Sequence, residues 1–341
     1  MSLKNKYILK ELLKYFIIFI IAFTIFLFFT DIFSGVLAYF RNHASFPWQY
    51  YFIRLPQKLY TLSPLITLLS ILFVFGEIEK FREIEIFEIK GINPQHILYL
   101  FFIFGLFSAI LFFLIGNFLP KNKTSAASFY SNSNKYIHLA SQNFVFWAQK
   151  YYPEKVFKNV VIITLTKHYL KLYQSQYAYP ENNTFLLKNG ETRNLMNLSI
   201  QPEKFINYNL KVSFNTQNFI DFILLNVRKT SFFKALLILK EMEKVGFFPK
   251  SKWINLYEKI AYPLLNFFFV FIMLPLFYNR STFSRFRIFI LAIVLSIFAY
   301  SVYSIGIALG KNNMLPWAVS PWLFHIFLLF AGGFYFIKRR F

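Results

Sequence analysis

The chain has 341 residues, of which 57% are hydrophobic and 22% aromatic, and carries a formal net charge of +22. It contains no cysteine, which excludes disulfides, cysteine nucleophiles and cysteine-based metal sites. The positive charge does not read as a nucleic-acid footprint, because the lysines are scattered rather than clustered and Lys, Asn, Ile and Phe are abundant together.

A bilayer core of about 30 Å takes about 20 apolar residues of helix. Six stretches qualify or nearly qualify: about 12–37, 59–75, 97–119, 260–278, 288–310 and 315–337. The first is too long for a signal-peptide core and lacks a small-residue cleavage site after it, so it reads as a retained, tilted helix. These runs define a polytopic α-helical membrane protein with six transmembrane helices. Lys and Arg crowd the loops around residues 4–14, 80–90, 280–287 and 338–340, whereas the opposite side holds Arg41, Arg54, Lys58 and Lys311. By the positive-inside rule both termini are cytoplasmic and residues 121–259 lie outside.

Between the second and third runs lies GEIEKFREIEIFEIKGINPQH, residues 76–96, a charged segment with Glu77, Glu79, Glu83, Glu85 and Glu88. Read as one helix, it stacks Ile78, Phe81, Glu85 and Glu88 on a common face, with Gly91 ending it. An amphipathic helix resting on anionic headgroups would carry Lys and Arg instead. Five glutamates favour docking against a basic soluble protein.

Residues 1–120 thus hold three membrane helices, and residues 260–341 hold three more. The intervening 121–259 reads as an inserted all-β domain, a sandwich or open jellyroll. Its strands are Phe144–Gln149, Val160–Lys167, Leu170–Tyr179, Phe185–Lys188 and Phe205–Phe214, separated by turn signals at Pro153, Pro180–Asn183, Asn189-Gly190 and Pro202. Ser231 caps a short helix over 232–245 that Gly246 ends, and Trp253–Lys259 leads into the fourth membrane helix.

Chemistry is sparse. Gly310-Lys311 is followed by Asn and has no P-loop context, so energy for uphill work must come from another chain or an ion gradient. The five histidines have no metal-ligand spacing and no paired-carboxylate or Gly-x-Ser-x-Gly signature is present. Asp31 and His325 are the intramembrane ionisable groups open to an ion-coupling role. The blander roles are interfacial solvation for Asp31 and a satisfied helix–helix hydrogen bond for His325.

The run Arg54-Leu-Pro, Ser63-Pro64, Gly76 and Arg82-Glu83-Ile-Glu-Ile-Phe-Glu-Ile-Lys90-Gly91-Ile92 resembles the LptF/LptG permeases, as do Gln142–Trp147 and Tyr257–Pro263. The second helix leans toward the LptG side. Ile89 stands where that family usually has a small residue. The resemblance implies a non-catalytic permease subunit of an ATP-driven transporter in the inner membrane of a Gram-negative bacterium. Such a subunit extracts lipopolysaccharide and passes it to a periplasmic bridge toward the outer membrane. Its implied partners are a cytoplasmic LptB-like ATPase dimer, which alone uses ATP and Mg, a second LptF- or LptG-like permease, and LptC/LptA-like bridge proteins. No cofactor is implied for the chain itself. The coupling helix, about 77–90, would engage the ATPase through Glu79, Arg82, Glu83, Ile86, Phe87 and Gly91. The first and fifth helices would form lateral gates, with Phe28, Asp31, Arg41, Phe298 and Tyr303 along the lipid path. Lys58, Lys121 and Lys123 are candidate contacts to lipid phosphates. Two other readings use the same residues: a membrane-anchored receptor or scaffold with an external β domain, and an ABC permease for another lipid or a lipoprotein.

Overall fold

The computed structural model describes residues 3–42, 48–89, 95–118, 137–141, 143–152, 156–165, 169–196, 201–272, 274 and 285–338. The chain divides into two compact units: Met1–Pro120 with Tyr257–Phe341, and Lys121–Leu256.

The first unit is helical. Its elements are α1 (Leu3–Asn42), α2 (Trp48–Lys80), the short α3 (Glu83–Ile89) and α4 (Gln95–Phe118). Among the described residues, four helices are long and apolar enough to cross a membrane, at Asn5–Phe33, Leu55–Lys80, His96–Asn117 and Phe286–Lys311. Ser320–Phe334 is apolar but shorter. The expected fourth run begins inside a helix over Lys250–Phe268, whose first half carries Lys250, Lys252, Glu258 and Lys259.

Within this unit α2 is the central rod. Of its apolar window 61% is buried, against 6% for α1. Helix α1 touches its neighbours along the narrow stripe Ile8, Leu12 and Phe16, spaced one turn apart, and Phe16 meets Phe104 and Phe112 of α4 edge-on. Further along, α1 offers Ile17, Ile21, Ile25, Phe29 and Phe33 outward, a surface suited to hydrocarbon rather than water. Pro64 within α2 removes the N–H that would have bonded the Tyr60 carbonyl. Close by, the Tyr262 hydroxyl donates to the Thr61 carbonyl, so side chains on a neighbouring helix hold the backbone where the proline interrupts its ladder.

The second unit is built on one six-stranded sheet. Its strands are β1 (Ile137–Ala140), β2 (Phe144–Tyr151), β3 (Phe157–Leu165), β4 (Leu170–Glu181), β5 (Thr184–Asn194) and β6 (Glu203–Lys211), all antiparallel and in sequential order. This is a meander. Among the described residues the strands make one sheet with helices on one face, with no Greek-key crossover and no second sheet, so the jellyroll is not confirmed. Alternation along β2 sends Phe144, Phe146 and Ala148 inward. Phe146 meets Phe157, Phe185 and Phe219, the last from helix α5 (Thr216–Leu224). Asn215 caps α5 by accepting from the N–H groups of Gln217 and Asn218. Helix α6 (Phe232–Lys244) follows a short 3-10 turn at Val227–Lys229, with Ser231 at its N-cap and Gly246 in the left-handed region just beyond its end.

The sequence reads Asn189-Gly190 as a turn, but β5 runs straight through it to Asn194. Asn189 lies in the left-handed region, as does Asn159 of β3. The ladder skips one rung at the level of Gln149, Asn159, Gln176, Asn189 and Ile206, while pairing continues on both sides. A Cβ on Gly190 would sit 2.2 Å from the Gln174 carbonyl oxygen, so only glycine fits where the sheet changes direction. Beside this line a groove of about 680 Å³ opens, lined among others by Trp147, Gln174, Gln176 and Glu191.

Three further helices are described toward the end of the chain. Helix α7 is Lys250–Phe268, α8 is Arg285–Lys311, and α9 is Leu323–Lys338, preceded by a 3-10 turn at Ser320–Trp322.

Candidate functional site

The charged segment between α2 and α4 is not one helix. Helix α2 continues through Lys80, and then Arg82 adopts a left-handed backbone (φ 50) before α3 begins. The Arg82 N–H still bonds the Glu79 carbonyl at 3.0 Å, and the Ile86 N–H bonds the Arg82 carbonyl at 3.2 Å, so the break is tight. A left-handed non-glycine residue costs about 1–2 kcal/mol. Burial on both sides offsets that cost, since Ile78 and Ile84 are each only 3% exposed.

This break changes which residues share a face. Ile78 points into the bundle and Phe81 away from it, so the common stripe expected of a single helix does not form. Facing outward are Phe81 (61% exposed), Ile86 (44%) and Ile89 (86%), together with Arg82 and Glu85. Lys80 lies over the Phe81 ring at 5.5 Å. The result is an exposed apolar patch edged by charge, a pattern typical of a protein-binding surface.

Of the residues expected to engage an ATPase, Arg82 and Ile86 therefore lie on this face. Glu79 is buried against the bundle and is not part of it. Glu83 is half-buried and accepts a hydrogen bond from the Tyr7 hydroxyl of α1 at 3.4 Å. Phe87 belongs to α3, but its side chain lies outside the described residues, and so does all of Gly91. One turn before the break, Glu77 accepts a hydrogen bond from Tyr15 of α1. The aromatic ring of Tyr15 packs against Phe19 and Phe73.

The opposite end of α1 carries a second polar link. Lys58 of α2 forms an ion pair with Asp31 of α1, both partly exposed. Two residues assigned separately from sequence, one to a lipid path and one to phosphate binding, are thus partners. Of the other lipid-path candidates, Phe28 is half-buried and Phe298 is 52% exposed. Tyr303 is buried in the bundle, its ring edge-on to Tyr262 and His325. It faces neighbouring helices rather than an open path. The Arg41 side chain, and Lys121 and Lys123 entirely, lie outside the described residues. His325 is buried, and its Nε2–H donates to the Ala261 carbonyl at 2.8 Å, tying α9 to α7. That is the helix–helix hydrogen bond that the sequence suggested.

Among the described residues no group of three or more His, Cys, Asp or Glu is placed to hold a metal ion. A bundle of membrane-length helices with an inserted antiparallel β unit defines a multi-pass membrane protein. The chain matches the family "Lipopolysaccharide export system permease LptF/LptG" over residues 6–339, nearly its whole length, and it belongs to that family. Membership makes it a permease for lipopolysaccharide export. No curated protein matches the chain.

Proposed function

We propose that this chain is the non-catalytic permease subunit of an ATP-driven lipopolysaccharide exporter in the inner membrane. Its α2–α3 joint docks on a cytoplasmic ATPase dimer, and its β unit, on the periplasmic side, hands lipid to a bridge toward the outer membrane. A second permease of the same family pairs with it. ATP and Mg belong to the ATPase.

The observation that carries this reading is the outward surface of Phe81, Arg82, Glu85, Ile86 and Ile89 beside Glu83. In solution or against lipid headgroups, Ile89 at 86% exposure and Phe81 at 61% are poorly placed. Against a groove of a soluble protein they bury area while Glu83 and Glu85 select a basic partner. The passive-anchor reading gives this surface no purpose. The face that α1 offers outward supports a lipid-facing or permease-facing role for that helix.

The test is Glu83→Lys in the full chain, co-expressed with the ATPase encoded by the same organism. A reversed charge at a desolvated interface costs about 2–5 kcal/mol, so co-purification and stimulated ATP hydrolysis should both collapse. Normal recovery and normal hydrolysis would remove Glu83 from the docking surface.

A further inference from the structure

Helix α1 is an unusual member of its bundle. Its apolar face is mostly uncovered and its packing stripe is narrow, yet side-chain hydrogen bonds fasten its cytoplasmic third to the α2–α3 joint at two points. The Tyr15 hydroxyl donates to Glu77, and the Tyr7 hydroxyl, about two turns nearer the terminus, donates to Glu83. The acceptors straddle the Arg82 break, one on α2 and one on α3. Nearby, Asn5 of α1 contacts His96 at the start of α4 at 3.1 Å.

We infer that Tyr15 and Tyr7 are positioning residues that clamp α1 to the coupling segment, so that a displacement of α3 is delivered to α1 as well as to α2. This rests on the permease reading above, and it adds the route by which a docked partner moves the helix with the greatest open face. Apolar contacts alone slide along a helix at little cost, because one turn of Ile and Phe resembles the next. A hydroxyl held to a carboxylate fixes the axial register, since a shift of one turn leaves a partly buried carboxylate without that donor. The two links have different characters. Glu77 lies on the inner side of the break and stays with Tyr15 throughout. Glu83 borders the docking surface, where a basic partner group competes with Tyr7 for its carboxylate.

The absence of cysteine makes the test clean. Spin labels at Leu13→Cys on α1 and Lys80→Cys at the end of α2, both exposed sites, report the distance between the two helices. They are compared in the assembled complex with and without nucleotide. Tyr7→Phe/Tyr15→Phe keeps both rings and removes only the hydroxyls. With the clamp present, the distance distribution stays narrow in both states. In the double variant it broadens on nucleotide addition, and lipid released per ATP hydrolysed falls by about fivefold to thirtyfold, the scale of one to two lost hydrogen bonds. Glu77→Gln, made in an otherwise native chain, keeps an accepting oxygen and retains the narrow distribution. A double variant with a wild-type distance distribution and wild-type lipid release per ATP overturns the inference. Wild-type chain that moves as a clamped pair but releases no lipid would leave the clamp standing and refute the export function instead.

Discussion

Phe219→Ala is the sharpest probe of how the β unit is held together. Phe219 is fully buried, and its ring lies 5.1–6.3 Å from those of Phe144, Phe146, Phe185, Phe214 and Phe247. It is the point where α5, β2, β5 and the segment after α6 converge. Truncating a buried Phe costs about 3–5 kcal/mol, and five aromatic neighbours that cannot all collapse into the void keep this site from the low end, at about 4 kcal/mol. Against the 5–15 kcal/mol that typically stabilises a domain, that is a large fraction. Native-state hydrogen exchange on the full chain in detergent reads it directly. Peptides from β2 and β5 should lose about three orders of magnitude of protection, since about 1.4 kcal/mol corresponds to tenfold, while peptides from α4 remain unchanged. Phe233→Ala is the control: that ring is 67% exposed on α6 and its loss should cost less than about 0.5 kcal/mol. Less than a tenfold change in β2 and β5 for Phe219→Ala would mean that α5 does not close the sheet's core.

Three further predictions follow from the contacts. His325→Phe keeps an aromatic ring but removes the donor to Ala261, at about 1 kcal/mol, whereas His325→Ala also opens a cavity and costs about 2–5 kcal/mol; equal thermal destabilisation of the two in detergent would contradict the hydrogen-bonded role. Lys252 donates to the Phe222 carbonyl and lies over its ring, yet burial pulls its pKa from 10.5 down to about 8. Because the folded value lies below the unfolded one, the unfolded chain binds more protons between those two values. Stability of the β unit should therefore rise from about pH 8 to about 10.5, by up to roughly 3 kcal/mol. Lys252→Met should flatten that rise, and a wild-type profile already flat across the window would refute the desolvation. For Asp31 and Lys58, both partly exposed, a double-mutant cycle with Asp31→Asn and Lys58→Gln should give a coupling of about 0.5–1 kcal/mol, and zero coupling would mean that the ion pair contributes nothing.

How much of this was legible in the sequence depended on whether the signal was local. The long apolar runs of α1, α2, α4 and α8 announce themselves, because hydropathy over about 20 residues needs no tertiary context. Strands β2, β3 and β4 were visible from alternation. Strand β5 was cut short because Asn189-Gly190 is the strongest hairpin signal available, and only the neighbouring strands reveal that the left-handed residue bends a strand rather than ending it. The helix α5 was missed although its cap was in plain sight: Asn215 precedes the buried set Phe219, Ile220 and Phe222, which a strand reading of the preceding residues hid.

At the site, the acidic character of the segment was readable from five glutamates where basic residues were due. The break at Arg82 was not, since nothing in local propensity calls for a left-handed arginine. That one backbone choice redirects the chain so that Ile84 turns inward and Ile86 and Ile89 outward. The pairs Tyr15–Glu77 and Asp31–Lys58 join residues 62 and 27 positions apart, and no single-sequence pattern encodes which of many candidates will meet.

The measurement that bears most directly on the function is affinity purification of the full chain in mild detergent, with mass spectrometry of the proteins and lipids that accompany it. Recovery of a soluble ATPase, a second permease of the same plan and lipopolysaccharide is the predicted outcome, and loss of the ATPase alone on Glu83→Lys would tie it to the α2–α3 joint. Recovery of the chain by itself, or with only a periplasmic protein, would contradict an ATP-driven exporter and leave the exposed surface of Phe81, Ile86 and Ile89 without a partner.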